Sequence, residues 1–526
     1  MIHRRKDKEE MKNPIIWSDF PDPDVIRVED TYYMISTTMH VMPGGVLLRS
    51  YDLMHWEIAS YIYDRLDSTD GQRLQTENGI YGKGMWAATL RYHDGEFFVI
   101  FVCNDTQKTY LYRSRDINGP WKKSFIEGFF HDCSLLFDDD GRKYLAYGNR
   151  EIHITELNDE MTGPKEGGLD RIALVDGPEY SLGYEGTHIY KLFGKYYMTF
   201  IHWPKGGRRQ QAFYCADSLD GEFVGKNVLD DDMGYHNSGV AQGAIVDTPD
   251  GDWYAILFQD HGAVGRIPVL VPVHWENDFP VFGIDGKIPL EIHVPSTRPD
   301  YVYEPLNISD SLAYEPDENG KIVLHHAWQW NHEPKETDYS FTERSGWYRI
   351  KTSDIRPNMI KAVNSLTQRT VGPRSSATIT VDGTSMKNGD FAGIGVLGSL
   401  YCMSALTRES DGYYLVALKA NPERPQPWGS PKYIDNLPGV VTEKIKIEDP
   451  IVNLRIFCDF EDNTDLATAW YEKDGQWIQF GEAVKMQFSL DHFMGYRFSV
   501  SMFSTEECGG HADFKNFVFD APDENN

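Results

Sequence analysis

Along the first half of the chain, apolar and polar positions alternate in short paired runs separated by Asp- and Gly-containing turns. Five segments repeat this pattern: "DVIRVEDTYYMIS" from Asp24, "TLRYHDGEFFVIF" from Thr89, "SLLFDDDGRKYLAY" from Ser134, "THIYKLFGKYYMTF" from Thr187 and "GAIVDTPDGDWYAIL" from Gly243. Alternation with period two bounded by such turns predicts a β-hairpin in each. A further strand followed by a Ser/Asp turn succeeds three of them, in "LLRSYDLMHWE", "YLYRSRDINGPWK" and "AFYCADSLDGEF". Helical periodicity is almost absent. The spacing of roughly 45–65 residues is that of β-propeller blades. Five units predict a five-bladed β-propeller over residues 13–295, with an irregular β-sandwich as the alternative.

The second half repeats strand-like runs in a different arrangement. "HVPSTRPDYVYEP" is Pro-rich and reads as a linker, placed at 296–306. Beyond it, "KIVLHHAW", "WYRIKT", "SSATITVDG", "FAGIGVL" and "GYYLVAL" recur between Gly/Asp turns, which predicts a jelly-roll-like β-sandwich over 307–526. Residues 1–12 form an N-terminal segment. The expected fold class is therefore all-β.

Composition narrows the partners. Aromatics make up 13 % of the 526 residues and the net charge is −29. Such a charge argues against nucleic acid and anionic membranes and suits a neutral ligand such as a sugar. No stretch approaches the roughly 20 apolar residues of a membrane span. "MIHRRKDKEEMKNP" carries positive charge without an apolar run, and the six cysteines lack ligand-like spacing. Both features predict a cytoplasmic protein with reduced thiols. No oligomeric state is legible.

Equivalent positions in the five repeats carry the chemistry. Counting back about 10–12 residues from the aromatic that opens each second strand reaches Asp22, Trp86, Asp132, Glu185 and Gln242. The first strand of each propeller blade lines the central channel, so these five side chains should form one ring. Three carboxylates converging in one pocket repel one another and are costly to desolvate, which points to a metal or to acid–base chemistry. A tryptophan in the same ring favours a sugar, whose C–H face stacks on an aromatic while its hydroxyls meet carboxylates and an amide.

"FPDPDVIRVEDTYYM", "MWAATLRYHDGEFFV", "HDCSLLFDDDGRKYLAYG", "EGTHIYKLFGKYYM" and "GVAQGAIVDTPDGDWYAILFQDHGAVGRIPVL" closely resemble the motifs of glycoside hydrolase family 43. "WQWNHEP", "LTQRTVGP" and "CGGHADFKNF" resemble the concanavalin-like module that often follows that catalytic domain. The resemblance implies hydrolysis by direct displacement with inversion and no cofactor for the chemistry. It implies that Asp22 is the base, Glu185 the general acid, Asp132 the carboxylate that orients the acid and raises its pKa, and Arg266 a binder of substrate hydroxyls. An inverting pair should lie about 6.5–9.5 Å apart, and placement on different blades allows that gap.

Other residues leave alternatives open. Asp24 either supports the base or is a solvated turn residue. His261 in "FQDHGAVGR" is the candidate contact for a calcium ion near the axis, with a satisfied core histidine as the rival reading. His202 and Trp203 in "FIHWPKGG" are candidates for the leaving-group subsite, although Trp203 could equally serve packing, and His40 could face the pocket. The sandwich reads as sugar-binding module, lid or structural partner. The loop "TTMHVMPGG" and the segments "FIHWP" and "VAQGAIVDT" resemble arabinofuranosidases of the family. The expected activity is release of terminal α-L-arabinofuranose from hemicellulose-derived oligosaccharides. β-D-Xylosidase or dual activity is the alternative, and a non-catalytic sugar-binding propeller the rival from another class.

Overall fold

The computed structural model describes residues 11–423 and 435–521. Five four-stranded antiparallel sheets form the first half and two larger sheets the second. Among the described residues the only helices are four three-residue 3-10 turns, so none is long and apolar enough to cross a membrane.

Each predicted hairpin forms the inner pair of one blade. Blade two shows why the turns fold as they do. Asp94 and Gly95, at φ 49° and 76°, join His93 to Glu96 in a two-residue loop. Both central residues of such a loop need positive φ, which Asp tolerates and Gly adopts freely. The inner strands of blades one to five are Asp24–Val28, Met85–His93, Ser134–Phe137, Tyr180–Leu192 and Ala241–Asp247. Each packs beside its neighbours in a closed ring, blade five returning to blade one. Met11–Lys12 pairs with Glu291–Ile292 beyond the last blade. The segment 296–306 does not hang free: the Tyr301 hydroxyl donates to Glu57 at 2.5 Å, and the Tyr303 hydroxyl accepts from the Tyr51 amide at 2.8 Å.

One buried charge braces the inner ring. Asp24 is fully buried and accepts from the Leu90 amide and the Arg91 guanidinium, each at 2.8 Å, on blade two. On its other side, His188 of blade four stands 3.3 Å away. Burial pushes the Asp24 carboxyl up, but Arg91 and His188 outweigh it and hold the pKa at about 2. Asp24 thus joins three blades, and the solvated-turn alternative is excluded by its burial.

The sandwich is built directly onto the propeller. Its eight-stranded sheet ends in Val41–Met42, contributed by the first blade, which pairs with Gln329–Asn331 of the sandwich. Ala263, Val264 and Ile267 of blade five share one apolar core with Trp328, Phe341 and Tyr348 of the sandwich. Asp19 ties the two halves by accepting from the Arg266 amide at 2.8 Å and the Gly495 amide at 2.9 Å.

Candidate active site

The five equivalent positions are set by local backbone irregularities. Asp22, Asp132 and Gln242 adopt left-handed conformations, with φ of 53°, 47° and 63°. Strand register shifts beside Met85, Glu185 and Ala241, so that Trp86, Glu185 and Gln242 lie in bulges. Bulges re-aim side chains and are frequent next to functional sites. Gly186, at φ 63°, follows Glu185, and a methyl group there would lie 2.6 Å from Gln242 Cδ. The acid candidate and the amide therefore share a close backbone approach that only glycine permits.

On one side, His131, Asp132 and Glu185 present atoms that all lie within 4.8 Å of one another. Asp132 is buried and accepts from the Gly186 amide at 3.2 Å. Its carboxyl is pushed up to about 7: burial raises it most, nearby Glu185 and Asp22 add to this, and His131 opposes them. The Asn149 amide donates to Glu185 Oε2. The Trp86 ring lies 5.5 Å from that of His131. No ion is needed to account for the group, because each His131 nitrogen faces a carboxylate.

On the other side, Asp22 is buried and accepts from Arg266 Nη1 and from the Thr37 hydroxyl, both at 2.7 Å. Arg266, expected on the substrate, thus has the base candidate as its described charged partner. Its guanidinium stacks 4.5 Å from the Phe493 ring. Phe493 comes from the sandwich and also lies 5.5 Å from Trp86. Arg209 adds a second, half-buried cation, ion-paired with Asp260 and stacked 5.0 Å over Trp203. Burial and the neighbouring Arg266 lower its pKa to about 10.

This gathering of acids, arginines and aromatics at the blade ends accompanies a specific match. The model of glycosyl hydrolases family 43 matches residues 11–280, and that of the beta xylosidase C-terminal concanavalin A-like domain matches residues 319–520. The chain belongs to glycosyl hydrolase family 43. It is similar to a putative beta-xylosidase of Xylanibacter ruminicola, 32 % identical over 407 residues, covering 75 % of this chain and 72 % of that protein. A non-reducing end alpha-L-arabinofuranosidase of Bacteroides ovatus is 26 % identical over 362 residues, covering 65 % of each. Among solved structures, a bifunctional GH43-CE protein of Bacteroides eggerthii superimposes with a TM-score of 0.89 at 36 % identity. That match covers 98 % of this chain, which spans 64 % of the neighbour.

Within this family 43 framework three sequence expectations need correction. His202 does not reach the pocket. It is buried, with Nδ1 3.0 Å from Asp176, Nε2 2.8 Å from Asn227, and its ring stacked 4.1 Å from Tyr180. Both nitrogens are spent between blade four and the end of blade three. His261 is the satisfied core histidine. Its Nε2 lies 2.7 Å from Gln259 Oε1, and its ring is covered by Tyr235 at 3.9 Å and Trp17 at 5.3 Å. Burial drives its pKa down to about 3. A single amide oxygen and two aromatic faces do not fit calcium, which takes six to eight oxygens. His40 packs against Tyr81 at 4.3 Å and His332 at 4.9 Å in the interdomain contact. The sequence reading missed His131, Asn149, Arg209 and Phe493. Only His131, adjacent to Asp132, carried a local signal.

Proposed function

We propose that this family 43 glycoside hydrolase removes single terminal pentoses from xylan-derived oligosaccharides with inversion. The observation that carries this reading is the pairing of two differently surrounded carboxyl groups on non-adjacent blades. Asp22, held by Arg266 and Thr37, takes the proton of the attacking water. Glu185, beside Asp132 and Asn149, gives its proton to the departing glycosidic oxygen. Asp132, buried beside the acid and bonded to the Gly186 amide next to it, fixes the acid's place. Trp86 offers a face for the sugar ring, and Gln242 an amide for its hydroxyls. Phe493 of the sandwich packs against Trp86 and Arg266 and so brings the second domain to the site, which supports exo action.

Both pentosides fit this reading. The arabinofuranosidase-like loops favour α-L-arabinofuranose, while the name of the 32 % identical relative favours β-D-xylose. Burial of His40 in the interdomain contact removes one support for the arabinose side. We therefore take dual action on terminal β-D-xylose and α-L-arabinofuranose as the activity. The test compares kcat/KM on 4-nitrophenyl β-D-xyloside and α-L-arabinofuranoside, with proton NMR of the first-formed sugar anomer. Turnover of both with inversion is expected. Retention would overturn the mechanism, and turnover of only one pentoside would overturn dual action.

A further inference from the structure

His131 belongs to none of the roles assigned above, yet it stands at the centre of the acid side. Its Nδ1 lies 3.7 Å from Asp132 Oδ1, and its Nε2 lies 3.8 Å from Glu185 Oε2. The side chain is mostly covered, with 22 % of its surface exposed, and the Trp86 ring packs against it. The Asn149 amide donates to the same Glu185 Oε2. The Asn149 amide makes this oxygen an acceptor and His131 stands at ion-pair distance from it, so it is not the oxygen that bears the transferable proton.

We propose that His131 is a positioning residue for the general acid: a bridging imidazolium that, with Asn149, holds Glu185 by Oε2 and leaves the proton on Oε1. This inference rests on the reading of Glu185 as the acid. In the chemical step the Oε1–H bond breaks and the proton goes to the glycosidic oxygen as the C–O bond to the sugar cleaves. Water forms the new bond to the anomeric carbon and yields its proton to Asp22. The electron pair left on Glu185 produces a carboxylate whose charge appears beside the His131 cation. That cation therefore interacts more strongly with the acid as the proton departs, which is the condition for a contribution to rate.

The charge state follows from what faces the ring. Asp132 is its chain neighbour, Glu185 approaches from blade four, Asp22 acts from blade one, and Trp86 covers it from blade two. Arg209 is a further cation, close enough to Glu185 and Asp22 to feel both. Burial alone would lower the His131 pKa, but the three carboxylates outweigh it and raise it to about 9. The imidazole is thus charged across the neutral range, unlike an ordinary histidine.

The decisive measurement is leaving-group dependence. Wild type, His131→Gln and Glu185→Gln are compared on xylobiose, which needs the acid, and on 2,4-dinitrophenyl β-D-xyloside, which does not. H131Q is expected to lose roughly 10- to 100-fold in kcat/KM on xylobiose and about threefold or less on the activated glycoside. Equal losses on both substrates in H131Q, with the split preserved in E185Q, would overturn the role of His131 and leave the acid assignment standing. Full xylobiose activity in E185Q would overturn both. A readout on the unaltered protein guards against misfolded variants: the His131 Hε1 resonance should titrate above pH 8. A midpoint at or below about 6.5 would sink the proposal.

Discussion

Two buried aspartates of the propeller, Asp24 and Asp132, sit near the starts of inner strands and titrate in opposite directions. Asp24 meets an arginine, a histidine and a backbone amide, and its pKa falls to about 2. Asp132 meets Glu185, Asp22 and only one cation, His131, and its pKa rises to about 7. Desolvation is the largest influence on both; the sign is decided by the neighbours. Where cations dominate, a buried carboxylate is a structural brace. Where carboxylates dominate, charge is held at a cost to stability, and that is the mark of a site kept for chemistry.

The sharpest way to break this contrast is to alter the two sides separately. Asp22→Asn removes the base, and kcat per folded molecule should fall about 10³- to 10⁴-fold, with some loss of stability because buried Arg266 loses its counter-charge. A kcat within about tenfold of wild type would remove Asp22 from the chemistry. Asp24→Asn should act on stability with little effect on the chemistry. Leaving Arg91 and His188 without their counter-charge costs about 3–5 kcal/mol of stability by denaturant unfolding, whereas kcat per folded molecule should change far less than in D22N. The pH linkage has a definite sign. The unfolded Asp24 titrates at 3.8, so its contribution is full above that pH and is lost as pH falls through about 2. In wild type this is worth about 2 kcal/mol, a loss that D24N should not show on acidification.

Asp132→Asn should lower kcat about 100-fold and yet raise the unfolding temperature at pH 8. The unfolded carboxyl ionises at 3.8 and the folded one near 7, so above pH 7 folding carries an unfavourable charge that Asn lacks. Destabilisation of D132N at pH 8 would contradict the comparison. The smallest effect expected is that of Phe493→Ala. Removing the ring that the sandwich lays against Trp86 and Arg266 should raise KM about tenfold with a lesser change in kcat. An unchanged KM would mean that the sandwich supports the propeller without shaping the pocket.

Much of the fold was legible because hairpin signals are local. The Asp94–Gly95 turn and the alternation on either side of it need no distant partner to be recognised. Asp22, Asp132 and Glu185 were legible because each lies about 10–12 residues before a repeated aromatic, and repeats convert sequence position into spatial position. His202 and His261 misled for the complementary reason. A histidine beside a motif looks the same in sequence whether its nitrogens face a cavity or are consumed by Asp176, Asn227 and Gln259. Asn149 closes the second strand of blade three, where nothing in its neighbours shows that it points at an acid on blade four.

By itself, then, the sequence determined the all-β architecture, the five-fold repetition and the identity of the three carboxyl groups, since period-two alternation, turn chemistry and repeat offsets are properties of nearby residues. Only the tertiary structure decided what surrounds each carboxyl: Arg266 against Asp22, Arg91 and His188 against Asp24, His131 and Asn149 about Glu185, and Phe493 brought from the sandwich. Those contacts join blades and domains up to several hundred residues apart. The sign of each pKa shift depends on charges within a few ångströms in space, whatever their distance along the chain.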